Sequence, residues 1–335
     1  MELKCFCKKL IISSGLLRLI NKVKGPSIVI LRYHSVQDDP AEHEPTIGSS
    51  IVHSTEEFRE QMRLVSRHYT PVSMDELLDH LENGVKLPPY PVVITFDDGY
   101  KDNLEIAGPI LAEFNIPATF YIVVDAISNQ VNLSPWFMRV RKAFSITEAS
   151  SWEDRDGKQY SLSDPEQRLA ARRAAMAYCG TSTGETQRSR VKEVEQSLAV
   201  PYYEAGKEMM LSQDGVKALK EAGHIVGSHT LSHPNMTYIE EKDAAYELAQ
   251  SSAELEKITG EPVRHFAYPN PILSPNWNKK TRELLRANGY KTAVTCDGGC
   301  VRYGDDPLSL KRVYIPERAE ELRWYLENAF NGYKI

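Results

Sequence analysis

Short apolar strands alternating with capped helices are what most constrain the fold of this chain. Ser54-Thr55-Glu56-Glu57 reads as a capping box, opening a helix that turns Phe58, Met62 and Val65 inward. Strand Val92–Phe96, helix Asp102–Phe114 and strand Ala118–Val124 follow. Helix Gln213–Ala222, stopped by Gly223, leads to strand His224–Ser228. Thr237 and Glu240 predict the cap of a long helix ending at Gly260, ahead of strand Val263–Ala267. Helix Asn276–Asn288, stopped by Gly289, precedes strand Tyr290–Thr295, and Leu310–Ile315 makes a last strand. Repeated β-α units of this kind predict an α/β fold on a parallel sheet, either doubly wound or closed into a barrel. With 335 residues, 41% of them hydrophobic, the chain is long enough for one large α/β domain with an insertion.

The strand ends carry the chemistry. Thr95-Phe96-Asp97-Asp98-Gly99-Tyr100 sets two adjacent carboxylates after the apolar run Pro91-Val92-Val93-Ile94. Like charges side by side at the end of a buried strand are costly unless a cation or a proton-transfer role compensates. A helix N-cap or solvated turn is the plainer alternative. Ser228-His229-Thr230-Leu231-Ser232-His233 follows the apolar stretch Ile225-Val226-Gly227. A four-residue spacing places both imidazoles on one side of a helical turn, within reach of one divalent ion, although Pro234 sets His233 at the edge of regular structure. Two imidazoles and one carboxylate leave a position open for water. Arg264-His265-Phe266-Ala267-Tyr268-Pro269 is a third strand running into a turn, where an Arg either holds a catalytic carboxylate ionised or, as is commoner for an Arg in a strand, makes a surface ion pair.

Taken in order, Thr95–Asp98 with Gly99, His229-x-x-x-His233 and Arg264–Pro269 resemble the NodB-homology polysaccharide deacetylases, carbohydrate esterase family 4. The resemblance runs from about Val29 to Pro316 with one long interruption. Ile30-Leu31-Arg32-Tyr33-His34-Ser35-Val36 is similar to the circularly permuted branch that includes poly-β-1,6-N-acetylglucosamine deacetylases. There the acid His comes from the N-terminal strand, and no His stands near Leu310-Lys311-Arg312, where the unpermuted branch has one.

The resemblance implies a distorted (β/α)7 barrel and a hydrolase of linear amides that removes an N-acetyl group from an amino sugar in a polysaccharide or lipid-linked glycan precursor. Asp98, His229 and His233 are then the metal ligands, Asp97 the base held by Arg264, and His34 the acid. The backbone N–H near Tyr100 meets the oxyanion, with Tyr268 also at the substrate. Arg312 is left to support the barrel or the substrate. The metal is most simply Zn²⁺, with Co²⁺, Ni²⁺ or Fe²⁺ also compatible with N/O ligands. A deformylase acting on an undecaprenyl-linked amino sugar and a catalytically inactive carbohydrate-binding homologue are the alternatives.

Residues 128–210 interrupt the β-α rhythm after a strand end, as a lid or substrate-selecting subdomain would. Within them Trp136 either stacks on a sugar, with Arg139 or Arg141 meeting a phosphate, or simply packs the insertion onto the barrel. Residues 1–24, ahead of a deacetylase domain at 25–335, put Leu3, Phe6, Leu10, Leu17, Ile20 and Val23 on one helical face opposite Lys4, Lys8, Arg18 and Lys22. Such a basic amphipathic helix either lies in a headgroup region or packs on the open end of the barrel. The net charge of −6, with no basic tract, argues against nucleic acid as the partner. Five scattered Cys favour a reducing compartment, with Cys296 and Cys300 as ordinary thiols. The expected location is cytoplasmic, peripheral on an inner membrane.

Overall fold

Strand β5, Pro91–Phe96, is buried along its whole length, as a β-branched run in the middle of a parallel sheet must be. The structure is a computed structural model, and it describes residues 27–127, 134–203, 206–269, 272–316 and 318–334, together with Leu17 and Leu19. Three strands precede the central ones: β1 (Val29–Tyr33), β2 (Ser35–Gln37) and β3 (Val52–Ser54). Next come β4 (Thr70–Pro71), β5 and β6 (Ala118–Ile122). The insertion holds the hairpin β7 (Ser151–Glu153) and β8 (Gln159–Ser161). The barrel resumes with β9 (Ile225–Ser228), β10 (His265–Ala267), β11 (Thr292–Val294) and β12 (Val313–Tyr314).

The main sheet runs β11-β10-β9-β6-β5-β1-β12, with β4 paired to β5. Every pairing in it is parallel. It curls until its ends meet: Val294 bridges Leu310 in parallel, and Leu310 N–H donates to the Ala293 carbonyl at 2.8 Å. The fold is a distorted (β/α)7 barrel with helices around it. Gly227 permits the close approach of three strands, since a Cβ there would lie 2.5 Å from the Tyr121 ring and 2.9 Å from the His265 carbonyl oxygen.

Local signals placed most helices well. Ser54 accepts from Glu57 N–H at the start of Thr55–His68, and Gly260 closes Glu241–Thr259 in a left-handed turn. The cap predicted at Thr237 is not made: its hydroxyl turns to the Asn235 side chain and the Pro275 carbonyl, and Glu240 precedes the helix without a side-chain bond. The His229–His233 segment is not helical either, because Thr230 (φ 69°) and His233 (φ 59°) adopt left-handed backbone.

The insertion builds its own core, in which Trp136, Phe137, Phe144, Trp152, Met176 and Val191 are buried together. Ile47 at the end of helix Pro40–Ile47, Val52 of β3 and Tyr100 after β5 join the same cluster, so the insertion sits over the chemistry-bearing end of the barrel. Most of residues 1–24 lies outside the described residues. Leu17, one of the residues placed on the apolar helical face, is buried against the body, and its carbonyl accepts from Asn331 Nδ2 at 2.9 Å. No described helix is long and apolar enough to cross a membrane.

Candidate metal centre and active site

Asp97 and Asp98 leave β5 in opposite roles because the backbone turns between them. Asp98 takes a left-handed conformation (φ 76°) and Gly99 follows with φ 84°. A non-glycine residue held there is strained, and such strain clusters at functional sites. The turn aims Asp98 at the loop after β9, where its Oδ1 lies 3.5 Å from both His229 Nε2 and His233 Nε2. Ligand atoms of these three buried side chains all fall within 4.8 Å of one another.

The donor set fits a divalent cation. His229 Nδ1 bonds the Ala267 carbonyl at 2.8 Å, which makes Nδ1 the protonated nitrogen and leaves the Nε2 lone pair facing Asp98. Burial, helped by the neighbouring His229, lowers His233 to about 3, so it is a neutral ligand at pH 7. Burial raises Asp98, yet the imidazoles around it more than offset this and hold it ionised. Among the described residues this is the one Asp/His/Cys/Glu group with metal-binding geometry.

Asp97 is gripped by Arg312, not by Arg264. Arg312 Nη1 and Nη2 donate to Asp97 Oδ1 and Oδ2, each at 2.7 Å. Burial pushes the Asp97 carboxyl up, but the Arg312 guanidinium, with His229 and His34, outweighs it and holds the group well below the usual carboxylate range. Arg264, the residue expected in this role, stands half-exposed and pairs with Asp75 at 2.9 Å. It precedes β10, and a residue at the start of a strand cannot reach the chemistry at the other end. Arg312 comes just before β12, beside β1, and Thr95 at the end of β5 adds its hydroxyl at 3.3 Å.

His34 also reaches this carboxylate, with Nε2 3.8 Å from Asp97 Oδ2. Burial lowers it to about 4, so its resting imidazole is neutral at pH 7. Two residues after the motif hold the His34 loop. Asn103 Nδ2 donates to the His34 carbonyl at 2.7 Å, while Asp102 accepts from Ser35 Oγ, Val36 N–H and Gln37 Nε2. Burial pushes the Asp102 carboxyl up to about 7 despite those donors. Glu247 does the same for the histidine loop, accepting from the Leu231 and Ser232 N–H groups at 2.9 and 2.8 Å and from the Ser232 and Thr183 hydroxyls. Sequence reasoning missed Asp102 and Glu247, and their signal was weak: each is an acidic residue in an ordinary helical stretch.

The remaining expected site residues divide. Tyr100 is buried at the metal centre; its hydroxyl faces Asp98 outside hydrogen-bond geometry and has no partner among the described residues. Tyr100 forms an isolated bridge with Met210 through Lys101 N–H and Leu211 N–H, which turns the Tyr100 N–H away from that neighbour. Tyr268 instead donates its hydroxyl to the Leu308 carbonyl and packs between Phe266 and Trp277. Trp136 is buried, and its indole N–H lies 3.1 and 3.2 Å from the Ser232 and His233 carbonyls. It packs against the histidine loop, as the packing alternative for this residue expects. Cys296 and Cys300 are free thiols.

Comparisons with known proteins give the family and the fold. The family model for polysaccharide deacetylases matches residues 84–293. YxkH of Bacillus subtilis (strain 168), whose name places it among polysaccharide deacetylases, is 29% identical over 116 residues; the match covers 34% of this chain and only 38% of YxkH. The fold is shared with the Streptococcus pyogenes deacetylase PplD, solved in complex with acetate, at a TM-score of 0.60 and 19% identity over 90% of this chain and 98% of that one. IcaB from Ammonifex degensii superposes with a TM-score of 0.57 and 20% identity over the same shares. With the family model spanning both the carboxylate pair and the histidine pair, this chain belongs to the polysaccharide deacetylase family.

Proposed function

We propose that this chain is a divalent-metal-dependent hydrolase that removes the N-acetyl group of an amino sugar. The observation that carries the reading is the division of labour between adjacent carboxylates: Asp98 faces two imidazoles, whereas Asp97 faces Arg312 and His34. Asp98, His229 and His233 would hold the ion, Zn²⁺ in the simplest case. When bound, such an ion lowers the pKa of water and polarises the acyl carbonyl.

The chain's own groups move the protons. Asp97, kept ionised by Arg312, accepts one proton from the attacking water as its oxygen bonds to the acyl carbon. The Tyr100 N–H would face the oxyanion that develops. His34 is neutral at rest, so the proton it delivers must come from the reaction, passed across the 3.8 Å gap from Asp97. That gap would tighten in the substrate complex. His34 then protonates the amine nitrogen as the C–N bond breaks, releasing acetate and the free amino sugar. Without that proton an amide would collapse back to starting material.

The substrate is a polysaccharide or a lipid-linked glycan precursor, with contact at an inner membrane through the basic N-terminal segment as a subsidiary proposal. Acetate release from an N-acetylated β-1,6-glucosamine oligomer and from a lipid-linked N-acetyl sugar, each lost on chelation and restored by Zn²⁺, tests the reading. Formate release from an N-formyl analogue in preference would turn it to a deformylase. Bound metal and sugar without turnover would leave a binding protein.

A further inference from the structure

The two histidines of the metal centre are held by different parts of the chain. The barrel orients His229 at both ends: its Nδ1 bonds the Ala267 carbonyl at 2.8 Å, and its N–H donates to the Ile122 carbonyl of β6 at 2.9 Å. His233 Nδ1 is buried with no hydrogen-bond partner among the described residues. A metal-ligating imidazole ordinarily engages its second nitrogen with a carbonyl or carboxylate, which fixes the ring. At His233 that anchor is missing, and a left-handed backbone of φ 59° persists only where neighbours restrain it.

The insertion supplies those neighbours. On helix Trp136–Ile146, the Trp136 indole N–H is shared between the Ser232 and His233 carbonyls at 3.1 and 3.2 Å. The next residue, Phe137, sets its ring centroid 4.6 Å from that of His233. At the turn between helices Pro165–Gly180 and Gly184–Ser197, the Gly180 carbonyl accepts from Asn235 N–H at 2.8 Å. In the same turn the Thr183 hydroxyl lies 3.0 Å from Ser232 Oγ. These contacts fall on both sides of His233. Glu247 of the barrel bonds the loop only at Leu231 and Ser232, and the bond from His233 N–H to Thr230 Oγ1 is internal to it.

We propose that the insertion completes the metal centre, with Trp136 and Phe137 as positioning residues for His233. This rests on the reading of Asp98, His229 and His233 as metal ligands. Trp136 fixes the backbone from which the imidazole projects. Phe137 packs on the ring in place of the hydrogen bond that Nδ1 lacks, and Nε2 is left 3.5 Å from Asp98 Oδ1. The barrel sets two of the three ligands by itself, and the third comes into register through the docked insertion.

Chelator competition for Zn²⁺ on the full chain tests this with substitutions that keep apolar bulk. Trp136→Phe deletes the shared N–H and Phe137→Leu deletes the ring contact; each should weaken Zn²⁺ binding by about 10-fold or more. Trp152→Phe is the comparison. It removes a comparably buried indole N–H that bonds Ser197 Oγ at 2.9 Å within the insertion, away from the histidine loop, and should leave Zn²⁺ affinity at the wild-type value. Equal affinity in all four proteins would overturn the proposal. So would an equal loss in Trp152→Phe, which would mark a general loosening of the insertion. Should Trp136→Phe fail to fold, Phe137→Leu carries the same comparison. Amide exchange over residues 229–235 of the metal-free chain gives a readout that needs no ion. It should be about 10-fold faster in Trp136→Phe and unchanged in Trp152→Phe. If the wild type binds no Zn²⁺, the metal reading fails, and exchange still decides the positioning: equal rates in the two variants would overturn it.

Discussion

Arg312 and Asp97, 215 residues apart in sequence, meet in a two-pronged ion pair of 2.7 Å contacts that is closed off from solvent. This pair, and not the expected Arg264–Asp97 contact, fixes the orientation of the proposed base. Arg312→Ala would strand a buried carboxylate and should cost about 3–5 kcal/mol in stability along with most of the activity. Arg264→Ala removes a half-exposed pair with Asp75 and should cost no more than about 1 kcal/mol, with turnover close to wild type. Denaturant unfolding and acetate release on both variants would check this; comparable damage from Arg264→Ala would restore the earlier assignment.

His34 should matter in proportion to how much the leaving group needs a proton. His34→Ala is expected to keep the fold and the metal while losing roughly 10²–10⁴-fold on an N-acetyl sugar. An activated aryl ester, whose leaving group departs unprotonated, should be affected far less. Equal losses on amide and ester would show that His34 positions substrate.

Glu247 accepts bonds from the loop between the two histidine ligands and from Thr183 of the insertion. Glu247→Gln turns one acceptor into a donor among donors, so metal affinity should fall about 10- to 100-fold with all three ligands intact. Competition against a chelator reads this directly. Unchanged affinity would mean that the loop holds its shape without the carboxylate.

Much of the barrel and its site was legible because the signals are local. The apolar runs, the Gly stops and the acidic or imidazole residues that follow β5 and β9 lie within a few positions of one another. Arg312 was not, because its partner lies after another strand of the sheet; the available signal was a cation inside the predicted strand Leu310–Ile315, and Lys311 beside it blurred even that. The spacing of His229 and His233 suggested a helical turn, whereas left-handed residues at Thr230 and His233 bring the rings together in a loop. Trp136 could be read in the sequence either as a sugar platform or as packing, and the structure adds that its indole N–H is bound to the carbonyls of Ser232 and His233.

Stability should fall in mild acid. Burial lowers His53 from 6.5 to about 4, so between those values the unfolded chain takes up a proton that the folded chain refuses. The contribution of neutral His53 is therefore complete above pH 6.5 and is lost as pH drops through 4. His53→Gln should flatten the decline of unfolding free energy across that window. An unchanged slope would mean that His53 is accessible to protons in the folded state.

The separation of roles between Asp97 and Asp98 is the centre of this account, and metal content measured beside acetate release tests it most directly. Asp97→Asn should bind metal stoichiometrically and hydrolyse almost nothing, whereas Asp98→Asn should lose metal and activity together, as should His229→Ala and His233→Ala. An empty Asp97→Asn protein beside a metal-loaded Asp98→Asn protein would contradict the assignment.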